Sequence, residues 1–137
     1  MRDGPIPLLV HGLVEYVAAA ALIVAPFLLG FDSGAATALS IVIGVVVLAI
    51  AAATEGPTSL VNQIPRPAHV ALDYVLVVIL IAIPFLAGFS GETAPTVMFI
   101  GLGVAHLLIT IGTRFRTGAE SSPRAKAPPP AKRSSRG

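Results

Sequence analysis

In a chain that is otherwise mostly apolar, the residues equipped for chemistry come in two matched pairs, His11 with Glu15 and His69 with Asp73. Members of a pair are four apart, so on a helix they share one face and can form a hydrogen bond or an ion pair. A tyrosine follows each acid, Tyr16 and Tyr74, turned about 100° further round the helix. Imidazole and carboxylate groups move protons, ligate divalent metals, or tie helices together where water is absent. The sequence has no His-Glu-x-x-His spacing, no Gly-rich phosphate loop and no nucleophile motif. It also has no cysteine, which excludes disulfides, thiolate sites and sulfur redox chemistry. These absences predict a polar cluster with no catalytic residue, no metal and no cofactor, in a protein that is not an enzyme.

The elements that carry these residues are set by solvent. With 55% hydrophobic and 12% charged residues, the chain has stretches that water cannot solvate. Apolar runs from Leu8 to Leu29, Ala35 to Ala53, Ala68 to Ala87 and Pro95 to Gly112 are each about 20 residues long, enough to cross about 30 Å of hydrocarbon. Backbone groups in lipid must be satisfied within the segment, so these runs are predicted to be helices. Turn-rich connectors, Gly30 to Gly34 and Gly88 to Glu92, join them in pairs, with Asp32, Ser33 or Thr93 available as caps and Pro95 suited to a first turn. Between the pairs, Pro57, Pro65 and Pro67 interrupt a more polar segment. The predicted organisation is an N-terminal segment 1–7, a transmembrane hairpin 8–53, a connector 54–67, a second hairpin 68–114, and a basic tail 115–137 too poor in apolar bulk to fold.

At the predicted depth, counting about 1.5 Å per residue, Glu15 and Asp73 lie about 10 Å inside their spans, beyond easy reach of water. His106, seven residues before Thr113, falls at about the depth of Asp73 and can pair with it. The region of the first half around Leu48 and Ala49 has no histidine. All nine Lys and Arg residues (Arg2, Arg66, Arg114, Arg116, Arg124, Lys126, Lys132, Arg133 and Arg136) fall on one side of the predicted membrane, and the opposite turns carry Asp32 and Glu92. The positive-inside rule then predicts a multi-pass plasma-membrane protein with both termini cytoplasmic. The basic residues lack interleaved aromatics, which argues against nucleic acid and leaves anionic lipid as what the tail can contact.

The two halves repeat at an offset of 58 residues: Ile6-Pro7 recurs as Ile64-Pro65, His11 as His69, Glu15-Tyr16-Val17 as Asp73-Tyr74-Val75, Pro26-Phe27-Leu28 as Pro84-Phe85-Leu86, and Gly30-Phe31 as Gly88-Phe89. Gly44 and Gly103 fall one residue out of this register. Two crossings separate equivalent positions, so the hairpins have the same orientation and a pseudo-two-fold axis along the membrane normal. The predicted fold is all-α, an integral membrane four-helix bundle of two tandem hairpins. These residues resemble the SPW-repeat family of small bacterial membrane proteins, in which an acid lies in the first helix of each repeat and Ser-Pro-Trp, then Gly-Phe, ends it. Here Ala25-Pro26-Phe27 and Ile83-Pro84-Phe85 stand in place of Ser-Pro-Trp, as in a divergent member. The resemblance covers residues 6 to 113 and implies four membrane helices with no catalytic residue to carry over.

Pro26 and Pro84, one turn from their helix ends, are predicted to bend the chain into its turns, with Phe31 and Phe89 anchoring at the interface. Ser40 and Gly44, and Gly101 and Ala105, offer small faces for helix packing. The favoured function is a non-enzymatic structural or accessory component of the membrane, with lipid, a second copy or a larger complex as partner. The alternative is a small proton-coupled transporter using Glu15 and Asp73.

Overall fold

The computed structural model describes residues 4–113; the segment 1–3 and the predicted tail 115–137 lie outside the described residues. Four helices follow in order, α1 (Leu8–Leu28), α2 (Gly34–Ala53), α3 (Arg66–Leu86) and α4 (Thr93–Gly112), each long and apolar enough to cross a membrane. Helix α3 begins two residues earlier than the apolar run suggests. Pro67 falls in its first turn, where a missing N–H leaves no bond unmade. Ser33 caps α2, its hydroxyl accepting from Ala36 N at 3.2 Å. Glu92 precedes α4 but spends its carboxylate on the neighbouring turn, accepting from Asp32 N at 2.6 Å and Ser33 N at 3.0 Å.

The repeated Pro-Phe-Leu-x-Gly-Phe is a helix stop. After Pro26 and Pro84 the helices run only to Leu28 and Leu86. Gly30 and Gly88 then adopt φ of 63° and 77°, and Phe31 N and Phe89 N donate back to Pro26 O and Pro84 O, both at 3.0 Å. This is the Schellman geometry, which needs a residue without a Cβ penalty at the left-handed position. It also folds the following phenylalanine back over the helix end, which corrects the expectation of interfacial anchors. Phe89 is buried, with its ring 5.4 Å from that of Phe99, and Phe31 packs against the same core.

Each hairpin packs on itself, and the two are joined end to end around the pseudo-two-fold axis. Ile6 N donates to Gly112 O, and Glu55 N to Ile64 O, so the entrance of each hairpin pairs with the exit of the other. The turn of the first hairpin spans residues 29–33 and that of the second 87–92. That one additional residue puts α2 and α4 in correspondence at an offset of 59, which brings Gly44 onto Gly103, Thr54 onto Thr113, Ser40 onto Phe99 and Val47 onto His106.

The core, Ala19, Leu22, Ala36, Val47, Leu80, Phe89 and Phe99, fills the half of the bundle near the two turns. Around it an apolar belt that includes Val17, Val45, Val78, Val97 and Leu108 faces outward, as a lipid-solvated protein requires. The packing faces are asymmetric between the hairpins. Ser40 and Gly44 lie at the α1–α2 contact, where Ser40 Oγ donates to Leu22 O at 2.5 Å. That carbonyl is the one deprived of its helical partner by Pro26, four residues on. In the second hairpin the equivalent face is Phe99, Gly103 and His106, all buried. Gly101 and Ala105, expected to pack between helices, face outward instead, and nothing lies within 4 Å of where a Gly101 Cβ would be. The face of α4 follows the hairpin register, and Gly101 lies two residues off it.

Candidate functional site

Seven residues into α1 and α3, at a depth of about 10 Å, the two acids meet across the axis. Glu15 Oε1 lies 3.0 Å from His69 Nε2, and Asp73 Oδ2 lies 3.4 Å from His11 Nε2. Within each helix the i,i+4 partners are comparably close, His11 Nε2 to Glu15 Oε1 at 3.7 Å and His69 Nε2 to Asp73 Oδ1 at 3.2 Å. The four side chains therefore form a closed ring, alternating imidazole and carboxylate, and all four are buried. The ligating atoms of all four lie within 4.8 Å of one another. His106 joins from α4, with Nε2 3.2 Å from Asp73 Oδ1, the pairing expected from their common depth. Its counterpart in α2 is the buried Val47, so Asp73 has a third histidine neighbour and Glu15 does not.

The outer nitrogens of the ring are held by the residues that cap the C-terminal ends of α4 and α2. His11 Nδ1 is 2.8 Å from Thr113 Oγ1, and His69 Nδ1 is 2.7 Å from Thr54 Oγ1. Both hydroxyls already donate their only proton to a carbonyl one turn back, Thr113 to Ile109 O at 2.6 Å and Thr54 to Ile50 O at 2.7 Å. A hydroxyl so committed can only accept from the ring, and therefore Nδ1 carries the proton in both histidines. In a neutral imidazole the remaining nitrogen, Nε2, then presents a lone pair to the carboxylates. Lone pairs facing at 3.0–3.7 Å require positive charge among them, supplied either as protons or as a cation. Asp73 Oδ2, buried, accepts no hydrogen bond from the described residues.

The tyrosines, grouped with the cluster from sequence, stand outside it because 100° of helix rotation carries them off its face. Tyr16 donates to Thr58 O at 2.8 Å, and Tyr74 is half exposed on the outer surface. Tyr16 thereby ties the connector to α1, and the Thr58 side chain sits against Gly12, where a Cβ would collide with it. The connector so folded leaves a cavity of about 20 Å³, room for one water, reaching from Glu55, Gly56 and Arg66 to His11, Glu15 and His69. On the other side Ala19, Leu22, Val47, Leu80 and Phe99 close the bundle.

Sequence spacing pointed away from a metal because it looks for ligands along one helix. This ring takes two from each of two helices, and the threonines that orient it were not singled out at all. A discoverable signal was the equivalence of Thr54 and Thr113, each ending the hairpin opposite the histidine it holds. The family model for the SPW repeat domain matches residues 9–113. No curated protein and no solved structure matches the chain.

Proposed function

The chain belongs to the SPW repeat domain family, and from that premise we propose that it is a non-enzymatic structural or accessory component of the plasma membrane, its two hairpins locked by the buried ring. The observation that carries this reading is where the polar contacts run. Glu15 to His69, His11 to Asp73, His11 to Thr113 and His69 to Thr54 all join one hairpin to the other. In lipid, where apolar burial gives helices no reason to associate, such contacts select one pairing and one register. The competing reading is a proton-coupled transporter using Glu15 and Asp73. It draws on the cavity that reaches the ring from the connector, but it also needs a path to the opposite turns. Among the described residues the core of Ala19, Leu22, Leu80 and Phe99 packs across that route, while a second small cavity at Glu15 and Asp73 leads sideways between Val47, Ile50, Leu72 and Leu76. The outward face of Gly101 and Ala105 suits a second copy or a companion subunit, and the apolar belt suits lipid.

The test is ion flux. Purified protein in liposomes carrying an internal pH dye is expected to leave proton permeability at the level of protein-free vesicles across an imposed pH gradient. A flux that appears with the protein and disappears with Glu15→Gln combined with Asp73→Asn overturns the structural reading in favour of transport.

Orientation follows from charge. Arg66 lies at the connector end, while Asp32 and Glu92 occupy the opposite turns, so the connector and both termini are assigned to the cytoplasm. With no native cysteine, single-cysteine variants report this cleanly. In intact cells a membrane-impermeant maleimide is expected to label Ser90→Cys and to spare Asn62→Cys until the membrane is opened. The reverse pattern overturns the assignment.

A further inference from the structure

We propose that the ring formed by His11, Glu15, His69 and Asp73 is a binding site for one divalent transition-metal ion of the zinc type. The proposal concerns the same ring as the structural reading but does not depend on it, since a metal could be held whether or not the ring is what pairs the hairpins.

Three independent features support a metal rather than protons alone. The first is shape. Ligand bonds of about 2.0–2.2 Å from imidazole nitrogen and carboxylate oxygen place neighbouring donors about 3.0–3.6 Å apart. The nearest nitrogen–oxygen distances around the ring are 3.7, 3.0 and 3.2 Å, with Asp73 closing it on His11 through its second oxygen at 3.4 Å. One ligand atom from each residue lies within 4.8 Å of the other three, so a small inward movement brings the donors to bonding distance of one ion. The second is orientation. Each ligating histidine gives its Nδ1 proton to a threonine whose own proton is fixed on a carbonyl. This is the outer-shell bond that fixes the tautomer in metal-bound histidines and puts the ligating lone pair on Nε2, the nitrogen that faces the carboxylates. The third is the inward-facing acceptor. Asp73 Oδ2 accepts no hydrogen bond from the described residues although its side chain is only 2% exposed. A cation bound within the ring would satisfy it.

Charge and donor type narrow the ion. One divalent cation neutralises two carboxylates, as a site so far from water requires. Nitrogen and oxygen donors without sulfur suit borderline ions such as Zn²⁺ or Fe²⁺ rather than Cu⁺, and four protein ligands are too few for Ca²⁺. The cavity reaching the ring from the connector, with Glu55 and Arg66 in its lining, provides the entry path and has room for a bound water.

The experiment uses full-length protein carrying a purification tag without histidines, extracted in mild detergent from cells grown in metal-replete medium. Mass spectrometry of the metals is expected to find one transition-metal ion per chain. After chelation, titration with Co²⁺ is expected to give the visible absorption bands of a low-coordinate nitrogen and oxygen site, saturating at one equivalent. Thr54→Val and Thr113→Val keep all four ligands and are each expected to weaken Co²⁺ binding about 10–100-fold. Asp73→Asn is expected to abolish the bands. Monodisperse protein with neither stoichiometric metal nor a Co²⁺ spectrum overturns the proposal, as does ¹⁵N NMR of the metal-treated sample showing both ring histidines still protonated at Nε2. Neither result affects the structural reading, which is tested separately by ion flux and by the stability of the ring variants.

Discussion

His69→Leu in detergent micelles is expected to lower the stability of the chain by about 3–5 kcal/mol, read as a shift in reversible denaturant unfolding. The reason is the charge left behind. His69 Nε2 faces Glu15 Oε1 at 3.0 Å and Asp73 Oδ1 at 3.2 Å, and removing it leaves two buried carboxylates with one fewer source of compensating charge between them. Leucine nearly matches imidazole in volume, so a cavity contributes little. Thr54 is not orphaned either, because its hydroxyl keeps its bond to Ile50 O. The loss thus measures the electrostatic contribution of the ring, through one contact between the hairpins and one within α3. A change below about 1 kcal/mol, the range of an exposed ion pair, would show that the ring does not hold them together.

The companion variant removes the whole ring: His11→Leu, Glu15→Leu, His69→Leu and His106→Leu with Asp73→Val. Breaking a buried ionic set is costly, whereas replacing all of it with apolar groups of similar size is often neutral or stabilising by about 1–4 kcal/mol. The fully apolar bundle is therefore expected to recover most of the loss from His69→Leu. A polar ring that can be replaced at little cost in stability is there for specificity of pairing or for what it binds, and the two roles are separated by the Co²⁺ titration above.

How much of this was legible in the sequence depended on whether the signal was local. The four spans, the Gly-Phe turns and the two-hairpin plan follow from hydropathy and from an offset of 58 that repeats His, an acid, Tyr and Pro, residues rare in membrane helices. The pairing of His106 with Asp73 also followed, because depth along a straight helix is simple arithmetic. What remained hidden lies in the angle between helices. Periodicity places His11 and Glu15 on one face but does not say that this face meets the equivalent face of α3, so the sequence alone shows two separate pairs. Gly101 and Ala105 looked as good a packing pair as Ser40 and Gly44, and only the shift to an offset of 59, caused by one additional turn residue, puts Gly103 at the contact instead. The phenylalanines after the turns misled for a local reason. Their amino acid type suggests the interface, but a left-handed glycine before them turns them inward.

The asymmetry of the two packing faces leads to the second large effect, at Gly44. A Cβ built there would lie 2.8 Å from Ile23 Cγ1, 2.9 Å from Ala19 O and 3.0 Å from Leu22 Cβ. The side-chain neighbour can swing away, but a backbone carbonyl cannot, so a larger residue must push α2 off α1. Ser40 is one turn away on the same face, and its 2.5 Å bond to Leu22 O is broken by the same movement. Gly44→Val is therefore expected to combine overpacking of about 1–3 kcal/mol with about 1–3 kcal/mol for the carbonyl that Pro26 already deprives of its helical partner. Ser40→Ala isolates the second part and should show it alone. Gly103→Val should be milder, since the nearest contact at 2.8 Å is Ile81 Cγ1 and no carbonyl stands as close, and Phe99 makes no side-chain hydrogen bond to lose. Gly101→Ala, facing outward, should be neutral or slightly stabilising, because alanine is the better helix former by up to about 1 kcal/mol. Equal losses at Gly44 and Gly101 in the same unfolding assay would mean that α2 and α4 do not pack through the faces described.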